Sequence, residues 1–120
     1  MEDYATAAGN RDLAFLSQEG IVLSNYYALT HPSLPNYIGV VGGDYFGLGD
    51  DGLHAVPEPV ASVVDLLETM GISWADYEED MPYTGFQGFN YTNPATGYVD
   101  YVRKHNPLVN HSLSSDDDYR

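Results

Sequence analysis

Apolar residues recur at helical spacing in two stretches of the chain. In residues 10–19, Leu13 and Leu16 stand three positions apart. In residues 57–70 the apolar side chains share one helical face: Val60, Val63, Val64 and Leu67. A glycine directly follows each stretch, and glycine is a common helix stop: Gly20 and Gly71. The pattern therefore predicts two amphipathic helices.

Each predicted helix leads into a strand-like segment. Residues 21–28 and 72–77 are rich in β-branched and aromatic side chains, which favour strands. Helix, glycine and strand, repeated in that order, is typical of βαβ units, so we predict an α/β fold with a parallel sheet. A parallel sheet is covered on both faces, and two strands with their helices cannot do this. We therefore interpret the chain as part of a larger α/β domain. The alternative is a small α/β domain that a partner chain completes.

The remaining segments are predicted to be irregular or short. Residues 42–59 carry glycine and proline and form a loop, and residues 81–94 are aromatic and irregular. Residues 99–104 form a short helix or strand, which Pro107 closes.

Length and composition limit the function classes. A chain of 120 residues forms one domain at most. We assign residues 1–109 to the N-terminal part of a domain and residues 110–120 to a polar acidic tail predicted to be disordered. The net charge is −14, from four Lys plus Arg against eighteen Asp plus Glu. This charge disfavours binding of nucleic acid or of an anionic membrane through a basic surface.

The sequence also lacks cysteines, a membrane-spanning run and the features of a signal peptide. There are no cysteines, which excludes disulfides, thiolate zinc sites and thiol nucleophiles. No apolar run approaches membrane-spanning length, and the first residues lack the basic and apolar regions of a signal peptide.

Three charged groups are interpreted from the residues alone. The predicted loop carries Asp44, Asp50 and Asp51. Their spacing does not fit an EF-hand, so we interpret them as solvated. The second predicted strand is followed by Glu78, Glu79 and Asp80, which either face a cleft or are solvated. Lys104 and His105 are interpreted as a solvated surface pair.

Residues 30–37 place a hydroxyl, that of Ser33, at a predicted strand-to-helix turn. In one reading Ser33 caps the helix, with Pro35 in an early position that needs no donor. In the other, Ser33 is an oxygen nucleophile at the positive end of the helix dipole, and the amide of Asn36 lies one turn along on the same side. The local pattern leaves both readings open.

Long sequence segments around this turn resemble the phosphoesterase family of fungal acid phosphatases and bacterial phospholipase C-like enzymes. The family is similar in fold to alkaline phosphatase. The resemblance covers residues 2–109, and the segments that carry it are residues 27–38, 41–43, 73–82, 83–86, 90–94 and 101–107. It implies that the chain is a fragment of an alkaline-phosphatase-like domain, with helices packed on a parallel sheet.

The resemblance also implies roles for individual residues. Ser33 would be the nucleophile and form a phosphoseryl intermediate. Asn36 would donate to a phosphoryl oxygen, and His105 would face the phosphate or protonate the leaving group. Glu2 and Ser33 would bind a divalent metal ion, although Asp3 stands where the family has Asn or a short insertion. The other metal ligands of the family come from later segments.

The predicted function is metal-dependent hydrolysis of phosphate esters, of acid phosphatase type, impaired in this chain because most metal ligands are missing. The alternative is a non-catalytic remnant or binding module without a complete metal site. The expected partners are a small phosphate ester, monoester or diester, and the remainder of the domain. The resemblance implies a secreted or extracellular parent protein, and two glycosylation sequons are compatible with this, at Asn90 and Asn110.

Overall fold

The computed structural model describes residues 4–54, 56 and 60–112 of the chain. Within these residues the helices are α1 (Tyr4–Ala8), α2 (Arg11–Glu19), α3 (Leu34–Gly42), α4 (Val63–Thr69) and α5 (Pro107–Ser112). Two strands, β1 (Asn90–Thr92) and β2 (Val99–Val102), lead into a 3-10 turn (Arg103–His105) that precedes α5. Among the described residues, no helix is long and apolar enough to cross a membrane.

Both predicted helices are present, and local caps fix where they begin. At α2 the side chain of Asn10 accepts hydrogen bonds from the backbone of Asp12 (2.9 Å) and Leu13 (3.2 Å). The second helix was predicted over residues 57–70; residues 57–59 lie outside the described residues, residues 60–62 are not helical, and α4 begins at Val63. The reason is a capping box at Ser62, whose hydroxyl accepts from the backbone of Asp65 while the Asp65 carboxylate accepts from the Ser62 backbone.

The predicted strands at residues 21–28 and 72–77 are wrong: both segments lack regular secondary structure. A strand needs a second backbone to complete its hydrogen bonds, and no described segment pairs with either one. Their apolar side chains are exposed, with Ile21 and Tyr77 each 91% accessible. The mixed helix and strand content agrees with the predicted class, whereas the predicted parallel sheet is not confirmed within the described residues.

The sheet that the described residues do form is antiparallel. Strand β1 pairs with β2, so that Tyr91 lies opposite Tyr101, and an irregularity follows at Thr92. The ring of Tyr101 is buried and contacts Phe86 edge-on, with 5.7 Å between ring centroids. This hairpin delivers the chain to the 3-10 turn beside α3.

Helix α3 is the centre of the core. Leu34 and Ile38 are fully buried against Val56, and Leu48 and Val60 pack around them. Full burial of one such side chain contributes about 1.5–3 kcal/mol. The left-handed backbone of Gly43 (φ 78°) ends the helix, a conformation that glycine adopts without steric cost. The first turn of α3 is therefore held rigidly by its own buried residues.

The C-terminal helix differs from its prediction. Pro107 begins α5 and does not close an element. The predicted start of the acidic tail, residue 110, falls inside this helix, and the Asn110 side chain is fully buried. Its amide nitrogen donates to the carbonyl oxygens of Arg103 (3.0 Å) and Asn106 (2.7 Å). The rest of the predicted tail, residues 113–120, lies outside the described residues.

Candidate active site

Ser33 occupies the N-cap position of α3, but its side chain makes no capping hydrogen bond. Its backbone is already helical (φ −74°, ψ −43°), whereas Asn10 and Ser62 have extended backbones and cap with their side chains. Pro35 lies in the first turn of α3, as predicted. The capping reading of Ser33 is therefore wrong, and its hydroxyl is available for other contacts.

The carboxylate of Asp51 replaces the missing cap. Its Oδ1 atom accepts from the backbone N–H of Leu34 at 3.0 Å and lies 3.3 Å from the Ser33 hydroxyl oxygen. A carboxylate is favourable here because the first turn of a helix carries partial positive charge. The interpretation of Asp51 as merely solvated is thus wrong. Its neighbour Asp50 instead contacts His54, with 2.6 Å between Oδ1 and Nε2.

Lys104 holds the second oxygen of the same carboxylate. Its Nζ atom lies 2.7 Å from Asp51 Oδ2, and both side chains are partly buried. The hydrogen bond from Lys104 lowers the pKa of the Asp51 carboxyl below its ordinary value, the Leu34 amide acts in the same direction, and burial acts against them. The interpretation of Lys104 and His105 as a solvated surface pair is therefore wrong for Lys104.

His105 faces Ser33 from the other side. Its Nε2 atom lies 3.3 Å from Ser33 Oγ, and its ring stacks on Tyr37 with 5.1 Å between centroids. Burial lowers the pKa of the His105 imidazole, the charge of Lys104 lowers it further, and Asp51 opposes them. A neutral imidazole at this position can accept the Ser33 proton when Nε2 is the unprotonated nitrogen.

The Ser33 hydroxyl has one proton and two neighbouring acceptors, the Asp51 carboxylate and His105 Nε2. A rotation about the Cβ–Oγ bond transfers the hydrogen bond from one acceptor to the other. The carboxylate can hold the proton in the resting state, and the imidazole can take it when the oxygen reacts. The two acceptors can therefore take the proton of the Ser33 hydroxyl.

Asn36 is used by the backbone around the site. Its Oδ1 accepts from the N–H groups of Leu29 (2.8 Å) and Thr30 (3.3 Å). Its Nδ2 lies within hydrogen-bond distance of three carbonyl oxygens, those of Thr30, Pro32 and Ser33. The side chain thus fixes the turn that presents Ser33. The role of Asn36 as a donor to a phosphoryl oxygen stays a prediction.

Of the predicted site residues, the structure brings Ser33, Asn36 and His105 together around the start of α3. Glu2 lies outside the described residues. Within residues 4–54, 56 and 60–112, no cluster of three or more His, Cys, Asp or Glu side chains could hold a metal ion. The acidic residues at 78–80 do not follow a strand; Asp80 has a left-handed backbone (φ 58°), and burial raises the pKa of Glu78.

Sequence reasoning missed Asp51, Lys104 and Tyr37 as parts of the site. Lys104 is adjacent to His105, which is a local signal, but its partner lies 53 positions away in the chain. A shallow cleft lies beside these residues, lined by Gly52, Phe89, Asn90, Val102 and Arg103 together with the Asp51–Lys104 pair. The guanidinium of Arg103 lies over the Phe89 ring, 4.3 Å from its centroid.

The chain is similar in sequence to several fungal acid phosphatases. A probable acid phosphatase of Kluyveromyces lactis is 58% identical over 107 residues, which are 89% of this chain and 25% of that protein. An acid phosphatase of Aspergillus fumigatus is 53% identical over 107 residues, 89% of this chain and 24% of that protein. A phosphate-repressible acid phosphatase of Penicillium chrysogenum is 48% identical over 118 residues, 98% of this chain and 28% of that protein.

This chain thus spans about a quarter of the length of these curated relatives. No solved structure matches it significantly. The model of the Phosphoesterase family matches residues 1–118, nearly the whole sequence. The chain therefore belongs to the Phosphoesterase family.

Proposed function

We propose that this chain provides the nucleophile part of a site that hydrolyses phosphate esters, with Ser33 as the nucleophile. The observation that carries the proposal is the position of the Ser33 hydroxyl at the start of α3. It does not cap the helix, and its oxygen lies 3.3 Å from both Asp51 Oδ1 and His105 Nε2. Family membership supports the substrate class, and so does the similarity to proteins named as acid phosphatases.

The surroundings of Ser33 suit an anionic substrate. The dipole of α3 favours negative charge in front of the helix, while the Leu34 N–H is occupied by Asp51 and Pro35 has no N–H. The ammonium of Lys104 is paired with the Asp51 carboxylate, so these two charges offset each other beside Ser33. A phosphoryl group placed against Ser33 would meet the helix dipole and the imidazole of His105, and the divalent metal ion would supply the remaining positive charge.

The reaction follows from these positions. Ser33 Oγ attacks phosphorus and its proton passes to His105 Nε2, while the bond from phosphorus to the leaving oxygen breaks. His105 returns the proton to the leaving alkoxide, which departs as an alcohol. Water then attacks the phosphoserine, His105 accepts the water proton, and the phosphorus–Oγ bond breaks. Ser33 regains a proton from His105, and inorganic phosphate is released.

The proposal includes the divalent metal ion that the family resemblance implies, with Glu2 and Ser33 as the contributing residues of this chain. A metal would lower the pKa of the serine hydroxyl and neutralise charge on the phosphate. The described residues do not fit a complete metal site, because Asp51 already binds Lys104 and Leu34 and no cluster of three ligands is present among them. Further ligands would come from the remainder of the parent domain, as would its parallel sheet.

The test is a graft of residues 2–109 into the Aspergillus fumigatus relative in place of its matching segment. We expect hydrolysis of an aryl phosphate monoester, with a divalent metal added, to fall by about a thousandfold or more in Ser33→Ala. Ser24→Ala is the matched control, because Ser24 is exposed and lies outside the site. The 120-residue chain alone is expected to show little turnover.

The results separate this proposal from a non-catalytic binding module. A graft that hydrolyses the ester equally well with Ser33→Ala would reject Ser33 as the nucleophile. A graft that folds but has no activity would favour the binding module. Loss of activity with a chelator, restored by a divalent metal, is the outcome expected for a metal-dependent enzyme.

The proposal extends to a secreted parent protein. Of the two sequon asparagines, Asn90 is exposed in β1. Asn110 is fully buried and its amide donates to two carbonyl oxygens, so in the folded chain it is closed to a glycosyltransferase. Expression through a secretory pathway is expected to yield a glycan at Asn90, which Asn90→Gln would remove.

A further inference from the structure

Helix α3 begins in a different way from its neighbours. At α2 and α4 the N-cap side chain accepts hydrogen bonds from its own first turn. At α3 the N-cap residue is a serine, one of the best capping residues, yet its side chain makes no capping hydrogen bond. A residue that forgoes a favourable local contact needs another group to satisfy the first turn.

That group is the Asp51 carboxylate, which reaches α3 from 17 positions along the chain and accepts from the Leu34 N–H. Leu34 is the first residue of the helix, and the next residue is a proline with no N–H to satisfy. A single remote acceptor therefore covers the first donor of the helix. Asp51 thus caps a donor that the Ser33 side chain does not serve, since an N-cap side chain accepts from the second or third residue of its helix.

The second oxygen of Asp51 extends this effect to His105. It binds Lys104, the residue before His105 in the 3-10 turn that carries the imidazole. One carboxylate thus connects the start of α3 with the turn that bears the imidazole. If Asp51 Oδ1 lost Leu34, or if Oδ2 lost Lys104, Asp51 would no longer connect the start of α3 with the turn that carries His105.

We propose that Asp51 is a positioning residue: it caps the first donor of α3, accepts a hydrogen bond from the Ser33 hydroxyl and anchors Lys104, and so holds Ser33 beside His105. The inference rests on the proposed function for its catalytic meaning, but the capping step is independent of any activity. It adds a required acidic residue to the site, in a loop that carries other carboxylates without this role.

Three substitutions in the 120-residue chain separate the parts of this proposal. Asp51→Ala removes the cap and the anchor together. Asp51→Asn keeps a capping oxygen, since asparagine caps as well as aspartate, but loses the charge that binds Lys104. Asp50→Asn is the control: Asp50 contacts His54 and the backbone of Gly52, and no contact joins it to Ser33.

Amide hydrogen exchange measured by NMR tests the cap directly. Asp51→Ala is expected to speed exchange of the Leu34 amide by about five- to tenfold, which corresponds to a cap of about 1 kcal/mol. Asp51→Asn and Asp50→Asn should leave that exchange near the wild-type rate. Ser33→Ala should also leave it unchanged, since Ser33 does not cap in the native chain.

The rotamer of Ser33, read from its Hα–Hβ coupling constants, tests whether Asp51 orients the hydroxyl. In Asp51→Ala the hydroxyl loses one of its two acceptors, so its rotamer populations are expected to change, whereas Asp50→Asn should leave them as in the wild type. Unchanged Leu34 exchange together with an unchanged Ser33 rotamer in Asp51→Ala would overturn the proposal.

Kinetics in the grafted enzyme test the catalytic meaning. Asp51→Asn is expected to lower kcat by about ten- to a hundredfold with KM changed less than about threefold, because a small misplacement of a nucleophile is costly. A wild-type kcat in Asp51→Asn would overturn the positioning role even if the cap is real. If the graft with the unmodified sequence is inactive, the proposed function fails, the positioning role fails with it, and exchange at Leu34 still decides the capping step.

Discussion

The Nε2 atom of His105 lies 3.3 Å from the Oγ atom of Ser33, although 72 positions separate the two residues in the chain. Two contacts hold this approach: the ring of His105 stacks on Tyr37 of α3, and Lys104 binds the carboxylate that caps the same helix. A pair held in this way combines a hydroxyl with a base whose charge state depends on pH. The first prediction follows from that dependence.

His105 in the metal-free chain is expected to titrate below the ordinary histidine pKa of about 6.5, because burial and Lys104 disfavour its charged form. In the window between its folded pKa and 6.5, the unfolded chain binds more protons than the folded chain. The contribution of His105 to stability is therefore complete above 6.5 and decreases as the pH falls through that window. NMR titration of the imidazole and urea unfolding across the same pH range measure both effects.

Lys104→Gln provides the comparison for this titration. Removing the ammonium removes one cause of the lowered pKa, so the midpoint of His105 should rise toward 6.5. A wild-type midpoint at or above 6.5 would contradict the prediction.

The two serines at helix starts should respond differently to alanine. Ser62 caps α4 in a capping box, so Ser62→Ala is expected to lower the free energy of unfolding by about 1 kcal/mol. Ser33 makes no cap, so Ser33→Ala is expected to change it by less than about 0.5 kcal/mol. Urea unfolding of the two variants against wild type gives the comparison, and equal losses would show that Ser33 caps α3 in solution.

Asn36→Ala is expected to lower the free energy of unfolding by about 1–3 kcal/mol, because the amide satisfies backbone groups in the turn before α3. Asn25→Ala serves as the control, since the Asn25 side chain is exposed and binds only the hydroxyl of Tyr27 among the described residues. An Asn36→Ala chain as stable as the control would show that these hydrogen bonds contribute no net stability.

On helix α3, the burial of a side chain should determine how far its truncation to alanine lowers the free energy of unfolding. Ile38 is fully buried in the core, and Ile38→Ala is expected to cost about 2–5 kcal/mol. Val40 lies on the same helix but is 72% exposed, so Val40→Ala should be nearly neutral. Denaturant unfolding of the two variants checks this; a large loss for Val40→Ala would indicate that its face is covered in solution.

Local patterns predicted α2 and α4, although α4 was predicted from residue 57 and neither α1 nor α5 was predicted. The apolar spacing of Leu13 and Leu16 predicts α2, and the start of α4, which the prediction missed, is marked by Ser62 and Asp65, whose mutual hydrogen bonds lie within four residues. Each of these signals is contained in a single short segment. The sequence can therefore show them without knowledge of the rest of the fold.

The strands and the site depend on distant contacts. Residues 21–28 have strand composition but no pairing partner among the described residues, and composition alone cannot supply one. Ser33 has a strong local preference to cap, which Asp51 overrides from another part of the chain. The resemblance to the family predicted Ser33 and His105 as site residues, whereas nothing in the local sequence distinguishes Asp51 from Asp50.

The apolar side chains that residues 21–29 and 72–77 leave exposed affect how the chain behaves in solution. Irregular segments rich in β-branched and aromatic residues can pair with copies of themselves, and such pairing is a common route to aggregation. The net charge of −14 opposes this, because the copies repel one another at low ionic strength. Salt shortens the range of that repulsion to about 10 Å at 0.1 M, so the purified chain is expected to stay dispersed in dilute buffer and to self-associate as salt is added.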